Sequence, residues 1–361
     1  MNGLTVKPIA WLPKDANPLY IFGPCSAETP EQVLSTAKQI AAQFPNALFR
    51  AGVWKPRTRP NTFEGAGERA LEWLKEVKQE TGLKTTTEVA DASHVEACLK
   101  HGVDVLWIGA RTVVNPFSVQ AIADALKGVD IPVMVKNPMV PDLQLWIGAL
   151  ERINGAGIEQ LAAIHRGFHF HNSAPYRNKP LWEIPLELMG KFPDLPVICD
   201  VSHISGSPEL IPHVAQKAMD LNMNGLMVES HINPDVALSD AKQQVTPAQL
   251  LEIISHIIVR RPTADNEEFL NKMEILREEI DQIDLAILRQ YAERMHLARE
   301  IGLYKKENNV TIFQREHWEY VLRRSLEEGL PLGLSETFLK GVYTQVHDES
   351  IRNQTEVMND D

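Results

Sequence analysis

The stretch from Arg50 to Thr58 reads Arg-Ala-Gly-Val-Trp-Lys-Pro-Arg-Thr, and Arg59 follows it. Arg50, Lys55, Arg57 and Arg59 are all cationic, with no acid among them. Such groups repel one another unless an anion joins them, so the stretch suits a phosphate or carboxylate. A solvated basic turn is the plain alternative. Cys25, His203, Glu229 and Asp240 offer a thiolate, an imidazole and two carboxylates. That mixed set suits one divalent metal of borderline softness, Mn, Fe, Co or Zn, better than Mg or Ca. Taken singly, Cys25 reads more readily as an inert buried thiol and His203 as a structural histidine, and it is the joint presence of four ligand types at converging strand ends that favours a metal. Arg111, Lys136 and Arg166 add positive charge beyond what one monoanion can use. Each alone could be a rim salt bridge of little energetic weight.

These residues acquire meaning from the elements that carry them. Short apolar, β-branched runs fall at residues 19–22, 47–50, 84–89, 105–108, 132–136, 161–166, 196–200 and 225–229. Amphipathic segments of helical length alternate with them, at 30–43, 67–81, 92–101, 118–126 and 143–153. Eight β-then-α units predict a (β/α)8 TIM barrel over residues 1–258, an α/β fold. An open doubly wound sheet is the alternative, but no glycine-rich dinucleotide fingerprint follows the first run. The chemistry sits at the ends of the runs. They are Gly23-Pro24-Cys25-Ser26, the basic stretch, Glu88, Gly109-Ala110-Arg111-Thr112, Lys136-Asn137, His165-Arg166-Gly167, Asp200-Val201-Ser202-His203, and Glu229 followed by Asp240. In a barrel these ends converge on the C-terminal face, where catalytic groups gather.

Residues 259–266 are polar and aperiodic and read as a linker. From 267 to about 306 no proline occurs, and Phe269, Met273, Leu276, Ile280, Ile283, Ile287, Tyr291, Met295 and Ala298 recur in steps of three and four. This predicts a helix of about 40 residues, about 60 Å long. Two shorter helices follow, near 314–328 and 335–355, completing a small all-α domain over 267–361. It can bury little alone, so a homo-oligomer, at least a dimer through these helices, is expected. Arg294 and Lys305 lie eleven residues apart, on one face and about 16 Å apart along the axis. Together they could bracket a small dianion. Arg277 is about 100° off that face and suits a partner's site more easily. Ser350 and Gln354, at i and i+4, share a face. A charged solvent face on a dimerising helix would explain any one of these arginines.

Bulk properties narrow the partners. The 361 residues carry a net charge of −12, which argues against nucleic acid as a partner and leaves the basic stretch as a local exception for a small anionic substrate. Three cysteines, Cys25, Cys98 and Cys199, form no disulfide framework and fit a reducing, cytoplasmic location. The first residues lack a signal peptide's apolar run, and no run of 18 apolar residues suggests a membrane span.

The strand-end motifs Gly-Pro-Cys-Ser at 23–26, Lys-Pro-Arg-Thr at 55–58, Gly-Ala-Arg-Thr at 109–112, Arg-Gly at 166–167 and Asp-Val-Ser-His at 200–203 resemble 3-deoxy-D-arabino-heptulosonate 7-phosphate synthases of type Iβ. Glu229 with Asp240, before Ala-Lys-Gln-Gln, is similar to that family's last metal motif. The resemblance covers about residues 15–260 and implies condensation of phosphoenolpyruvate with erythrose 4-phosphate at a divalent metal. By the same likeness Cys25, His203, Glu229 and Asp240 would hold the metal. Arg50, Lys55, Arg111, Lys136 and Arg166 would bind phosphoenolpyruvate, and Arg57 and Thr58 the sugar phosphate. Lys55 would donate a proton and Glu88 would help place a water. The related octulosonate 8-phosphate synthases share the barrel, but Lys-Pro-Arg-Thr favours the heptulosonate enzyme.

In the helical part, Leu276-Arg277-Glu278-Glu279-Ile280-Asp281, Glu293-Arg294, Lys305, Gln314-Arg315-Glu316 and Ser350 with Gln354 resemble the all-helical chorismate mutases. The likeness implies rearrangement of chorismate to prephenate at sites shared across a dimer. Arg294, Arg315 and a partner's Arg277 would bind the carboxylates. Lys305 and Gln354 would meet the ether oxygen, and Glu316 and Ser350 the ring hydroxyl or its neighbours. Some members carry an acid where this chain has Ile312, so hydroxyl binding could be weaker. The expected protein is bifunctional, with the helical domain also a feedback sensor and no separate regulatory domain before the barrel. A non-catalytic, ligand-binding dimerisation module is the rival reading of the helices.

Overall fold

The computed structural model describes residues 3–8, 18–55 and 62–359. Arg57, Thr58 and Arg59 lie outside the described residues. The chain divides into two compact units, Met1–Pro262 and Thr263–Asp361.

The first unit is a closed barrel of eight parallel strands in sequence order, each hydrogen-bonded to its neighbours in the chain and the last closing on the first. The strands are β1 (Leu19–Gly23), β2 (Leu48–Arg50), β3 (Lys84–Val89), β4 (Val105–Ile108), β5 (Val133–Lys136), β6 (Leu161–His165), β7 (Val197–Asp200) and β8 (Gly225–Glu229). The helices are α1 (Pro30–Gln43), α2 (Arg69–Thr81), α3 (Ala92–Lys100), α4 (Ala110–Val113), α5 (Pro116–Ala125), α6 (Leu143–Gly155), α7 (Glu183–Lys191), α8 (Val201–Ser205), α9 (Ile211–Asp220) and α10 (Pro247–Ser255). At several of them the preceding side chain satisfies one of the first amide groups. Thr29 accepts from Gln32 N at α1, Asp91 from His94 N at α3 and Asp142 from Leu145 N at α6. Their buried faces join the outward-facing strand residues in one large core.

A second, smaller core fills the barrel itself, built from Leu19, Ile21, Leu48, Val105, Trp107, Met134, Ala162, Ile164, Ile198 and Met227. Strand side chains alternate, so the residue two positions on faces the same way. That step leads from Leu48 to Arg50, Met134 to Lys136, Ile164 to Arg166, Ile198 to Asp200 and Met227 to Glu229. The interior therefore changes from apolar to charged at its C-terminal layer.

The second unit holds α11 (Glu267–Glu307), α12 (Arg315–Gly329) and α13 (Glu336–Asn359). Asn266 accepts from Phe269 N and caps the 41-residue α11. Only Ala298 and Gly302 of α11 are buried. Much of its apolar stripe is open, with Phe269, Leu276, Ile280, Ile283 and Ile287 all exposed and Met273, Tyr291 and Met295 half-buried.

Candidate active site

Two of the barrel cations are almost wholly buried. Arg50 is 1% exposed and donates from Nη2 to Glu229 Oε1 at 3.1 Å and to the Cys25 carbonyl at 3.5 Å. Among the described residues its Nε and Nη1 have no hydrogen-bond partner. A buried guanidinium edge left bare is costly, and an anion is the natural remedy. Lys136 donates to Asp200 Oδ2 at 2.7 Å. The Trp107 ring lies under both, 5.1 Å from the Arg50 guanidinium and 5.6 Å from the Lys136 ammonium. Trp107 Nε1 in turn donates to Glu88 Oε2 at 2.9 Å.

Lys55 folds back over β1, with Nζ 3.1 Å from Cys25 Sγ and 3.3 Å from the Cys25 carbonyl. Gly52 permits this, because a Cβ there would sit 2.6 Å from the Cys25 carbonyl oxygen and 2.9 Å from Lys55 Cδ. Lys55, Arg111, Lys136, Arg166 and Arg177 line one cavity together with Glu88, His203 and Asp240. Arg111 enters on the short α4, and Arg166 is fixed by Asn137 and Asn178, which accept from its backbone N at 2.7 Å and its Nη1 at 2.9 Å. Burial lowers the Arg166 pKa to about 10.

Cys25, Glu229 and Asp240 bring ligand atoms within 4.8 Å of one another among the described residues. His203 is not in that tight group, but its Nε2 lies 3.8 Å from Glu229 Oε1. Asp200 orients it, accepting the His203 backbone N at α8 and contacting Nδ1 at 2.9 Å. An ionised Asp200 requires Nδ1 to carry the proton, which leaves the Nε2 lone pair turned toward Glu229. Burial opposes the Asp200 charge, but His203 and Lys136 hold it well below the ordinary carboxylate range. Burial opposes charge on Glu229 and Asp240 too, yet both are lowered, chiefly by His203 and Arg50 on Glu229 and by Arg177 on Asp240. Burial lowers the His203 pKa, favouring the neutral ring that metals bind. Burial and Glu229 push the Cys25 thiol up to about 12. A cation among these groups would reverse that balance and favour the thiolate. The donor set therefore fits a borderline divalent metal.

Three participants escape a reading of the sequence. Asp200 stands out there only as part of a motif. Trp107 looks like ordinary strand core. Arg177 sits in a segment without periodicity, although its side chain contacts Asp240 Oδ1 at 3.3 Å and Gln243.

In the helical unit, Arg294, Lys305, Ser350 and Gln354 come together where α11 packs against α13. Arg294 Nη1 donates to Ser350 Oγ and to the Val346 carbonyl. Lys305 Nζ donates to Gln354 Oε1 at 3.0 Å and to the Ile312 carbonyl at 2.6 Å. Burial lowers the Lys305 pKa. Arg277, Arg315 and Glu316 are exposed and make no hydrogen bond or ion pair with this group among the described residues, Arg315 pairing with Glu319 at 2.7 Å. Ile312 enters this group through its backbone oxygen, which accepts from Lys305 Nζ.

Comparison with known proteins divides the chain at the same two units. The DAHP synthetase I family model matches residues 11–260, and the chorismate mutase type II model matches residues 276–355. The phospho-2-dehydro-3-deoxyheptonate aldolase of Thermotoga maritima is 28% identical over 237 residues, 66% of this chain and 68% of that one. A 2-dehydro-3-deoxyphosphooctonate aldolase from a Synechococcus strain is 29% identical over 277 residues, 70% of this chain and 92% of its own. The crystal structure of the Thermotoga maritima DAHP synthase superposes with a TM-score of 0.60 at 26% identity, covering 67% of this chain and 68% of that one. The chain belongs to the DAHP synthetase I family and carries a C-terminal chorismate mutase type II domain.

Proposed function

We propose that one chain carries two active sites of aromatic biosynthesis. The barrel condenses phosphoenolpyruvate with erythrose 4-phosphate to 3-deoxy-D-arabino-heptulosonate 7-phosphate and phosphate. The helical unit rearranges chorismate to prephenate. The observation that carries the barrel reading is the bare buried edge of Arg50, set among Lys55, Lys136 and Arg166 beside the Cys25–Glu229–Asp240 group. The octulosonate relatives share the barrel, and the heptulosonate family model favours the shorter sugar.

Arg50, Lys55, Arg111, Lys136 and Arg166 would hold the phosphoenolpyruvate carboxylate and phosphate, neutralising a polyanion that otherwise repels the second substrate. Arg57 and Thr58 would take the sugar phosphate. A divalent metal held by Cys25, His203, Glu229 and Asp240 would polarise the aldehyde carbonyl for attack by the weakly nucleophilic enol carbon. Lys55 is near enough to the metal group to deliver a proton to the new alkoxide, and Glu88, fixed by Trp107, would position the water that adds before phosphate leaves.

At the second site no nucleophile is needed. Arg294, Arg315 and a partner's Arg277 would hold the two carboxylates, while Lys305 and Gln354 donate to the ether oxygen as charge develops there. Glu316 and Ser350 would meet the ring hydroxyl or its neighbours. The open apolar stripe of α11 supports an oligomer of at least two chains, which would bring Arg277 to another chain's site. A sensor role for chorismate or prephenate follows from the fusion and fails if prephenate leaves synthase kinetics unchanged while mutase turnover is intact. No helix among the described residues is long and apolar enough to cross a membrane, and a cytoplasmic location is proposed.

Selective variants test the pair of activities. Lys55→Met should abolish phosphate release from phosphoenolpyruvate and erythrose 4-phosphate and leave chorismate consumption intact. Arg294→Ala should do the reverse. A wild-type chain that consumes no chorismate would reduce the helices to a dimerising, ligand-binding module.

A further inference from the structure

The segment between β6 and α7 delivers Arg177 and Asn178 as a pair, and the pair touches both halves of the barrel site. Arg177 is bolted down by its backbone, whose N donates to the Ile204 carbonyl at 3.0 Å. Gly206 admits it, since a Cβ on Gly206 would come within 2.4 Å of Arg177 Cβ. From that position its guanidinium spans Asp240 Oδ1, at 3.3 Å, and the Gln243 side-chain oxygen. Gln243 passes the contact on, donating from Nε2 to Glu229 Oε2. The other oxygen of Asp240, Oδ2, faces Cys25 Sγ at 3.5 Å. Asn178 serves the other side. Its Nδ2 donates to the His203 carbonyl at 2.6 Å, and its Oδ1 accepts from Arg166 Nη1 at 2.9 Å.

We propose that Arg177 is a positioning residue for the metal group, and that the Arg177–Asn178 pair is a strap tying that group to the phosphate-binding cations. This rests on the metal reading given above. Asp240 has two equivalent oxygens and needs one presented to the metal. Arg177 occupies Oδ1 and so turns Oδ2 toward Cys25 and Glu229. Through Gln243 it also fixes the far oxygen of Glu229, leaving Oε1 for Arg50 and the His203 side. Outer partners of metal ligands commonly govern affinity by 10–100-fold. Arg177 lines the same cavity as Lys136 and Arg166, and what sets it apart from those cations is its direct contact with a metal-group carboxylate, Asp240.

The test uses the full chain stripped of metal and titrated with Co²⁺ alone against a chromophoric chelator. Arg177→Gln should weaken Co²⁺ binding by about 10–100-fold. Phosphoenolpyruvate affinity, measured without metal, should fall by a clearly smaller factor than Co²⁺ affinity, since Arg50, Lys136 and Arg166 remain. Arg177→Lys keeps the charge but cannot span Asp240 and Gln243 together, so it should fall between wild type and Arg177→Gln. It carries the test if Arg177→Gln does not fold. Equal or tighter Co²⁺ binding in these variants would overturn the proposal, as would an equal loss of phosphoenolpyruvate affinity, which marks a general structural defect. Cys25→Ser separates the two claims. If the wild type binds no Co²⁺, or Cys25→Ser binds it equally well, the metal reading fails. If Cys25→Ser weakens binding and Arg177→Gln does not, only the positioning role fails.

Discussion

Asp200→Asn is the sharpest perturbation of the barrel floor. Asp200 is wholly buried and binds Lys136 at 2.7 Å and His203 Nδ1 at 2.9 Å, while capping α8. Asparagine caps helices about as well as aspartate, so the cap survives and the change isolates the charge. Lys136, 4% exposed, would then be a buried ammonium with no counterion. Breaking one side of a buried pair costs about 3–5 kcal/mol. For a unit of this size that lowers the melting temperature by roughly 6–20 °C at about 2–4 °C per kcal/mol. The assay is urea unfolding of metal-free protein, fitted with separate transitions for the two units. Inorganic phosphate supplies a second signature. An anion drawn to the bared ammonium should stabilise the variant more than the wild type, by up to about 2.7 kcal/mol at a hundredfold excess over its Kd. A variant within about 1 kcal/mol of wild type, with no extra response to phosphate, would refute the idea that the Asp200 charge holds Lys136 in place.

Two further outcomes are expected. His165 is wholly buried, and burial with Arg166 lowers its pKa to about 3 from 6.5. Its stabilising effect is therefore complete above pH 6.5 and is lost as pH falls from there toward 3. At pH 5 the loss is about 2 kcal/mol, so His165→Phe should flatten the acid limb of a stability–pH curve. An unchanged acid limb in a folded variant would count against this burial. Lys305→Ala should lower kcat/KM for chorismate by about 10²–10³-fold, the scale of one lost oxyanion donor, with the barrel's rate unchanged in the same preparation. A loss below tenfold would remove Lys305 from the ether-oxygen role.

The barrel was legible because its signal is repeated and local. Eight apolar runs each ended in polar chemistry, and the two-residue alternation that leads Leu48 to Arg50 or Met134 to Lys136 is written directly in the strands. What was hidden lies where periodicity has no purchase. Arg111 and His203 were legible as strand-end residues, but the helices that carry them, α4 and α8, are only 4 and 5 residues long and too short to show a helical pattern. Arg177 belongs to an aperiodic segment, and its partners Asp240 and Gln243 are more than sixty residues away. Trp107 reads as core from its strand, and only the closed barrel sets it beneath two cations. In the helices, spacing placed Arg294 with Lys305 and Ser350 with Gln354, and both pairs meet between α11 and α13. The same spacing does not say what covers the stripe from Phe269 to Ile287, which is exposed in the single chain.

The central claim is that the C-terminal face of the barrel is a metal-dependent site for phosphoenolpyruvate and erythrose 4-phosphate. Metal-stripped protein, supplied with phosphoenolpyruvate and either erythrose 4-phosphate or arabinose 5-phosphate, tests it when Mn, Fe, Co and Zn are returned singly and phosphate release is followed. The expected result is no release until a metal is added, then turnover with erythrose 4-phosphate well above that with arabinose 5-phosphate. Full turnover by the stripped protein, or a preference for arabinose 5-phosphate, would contradict it.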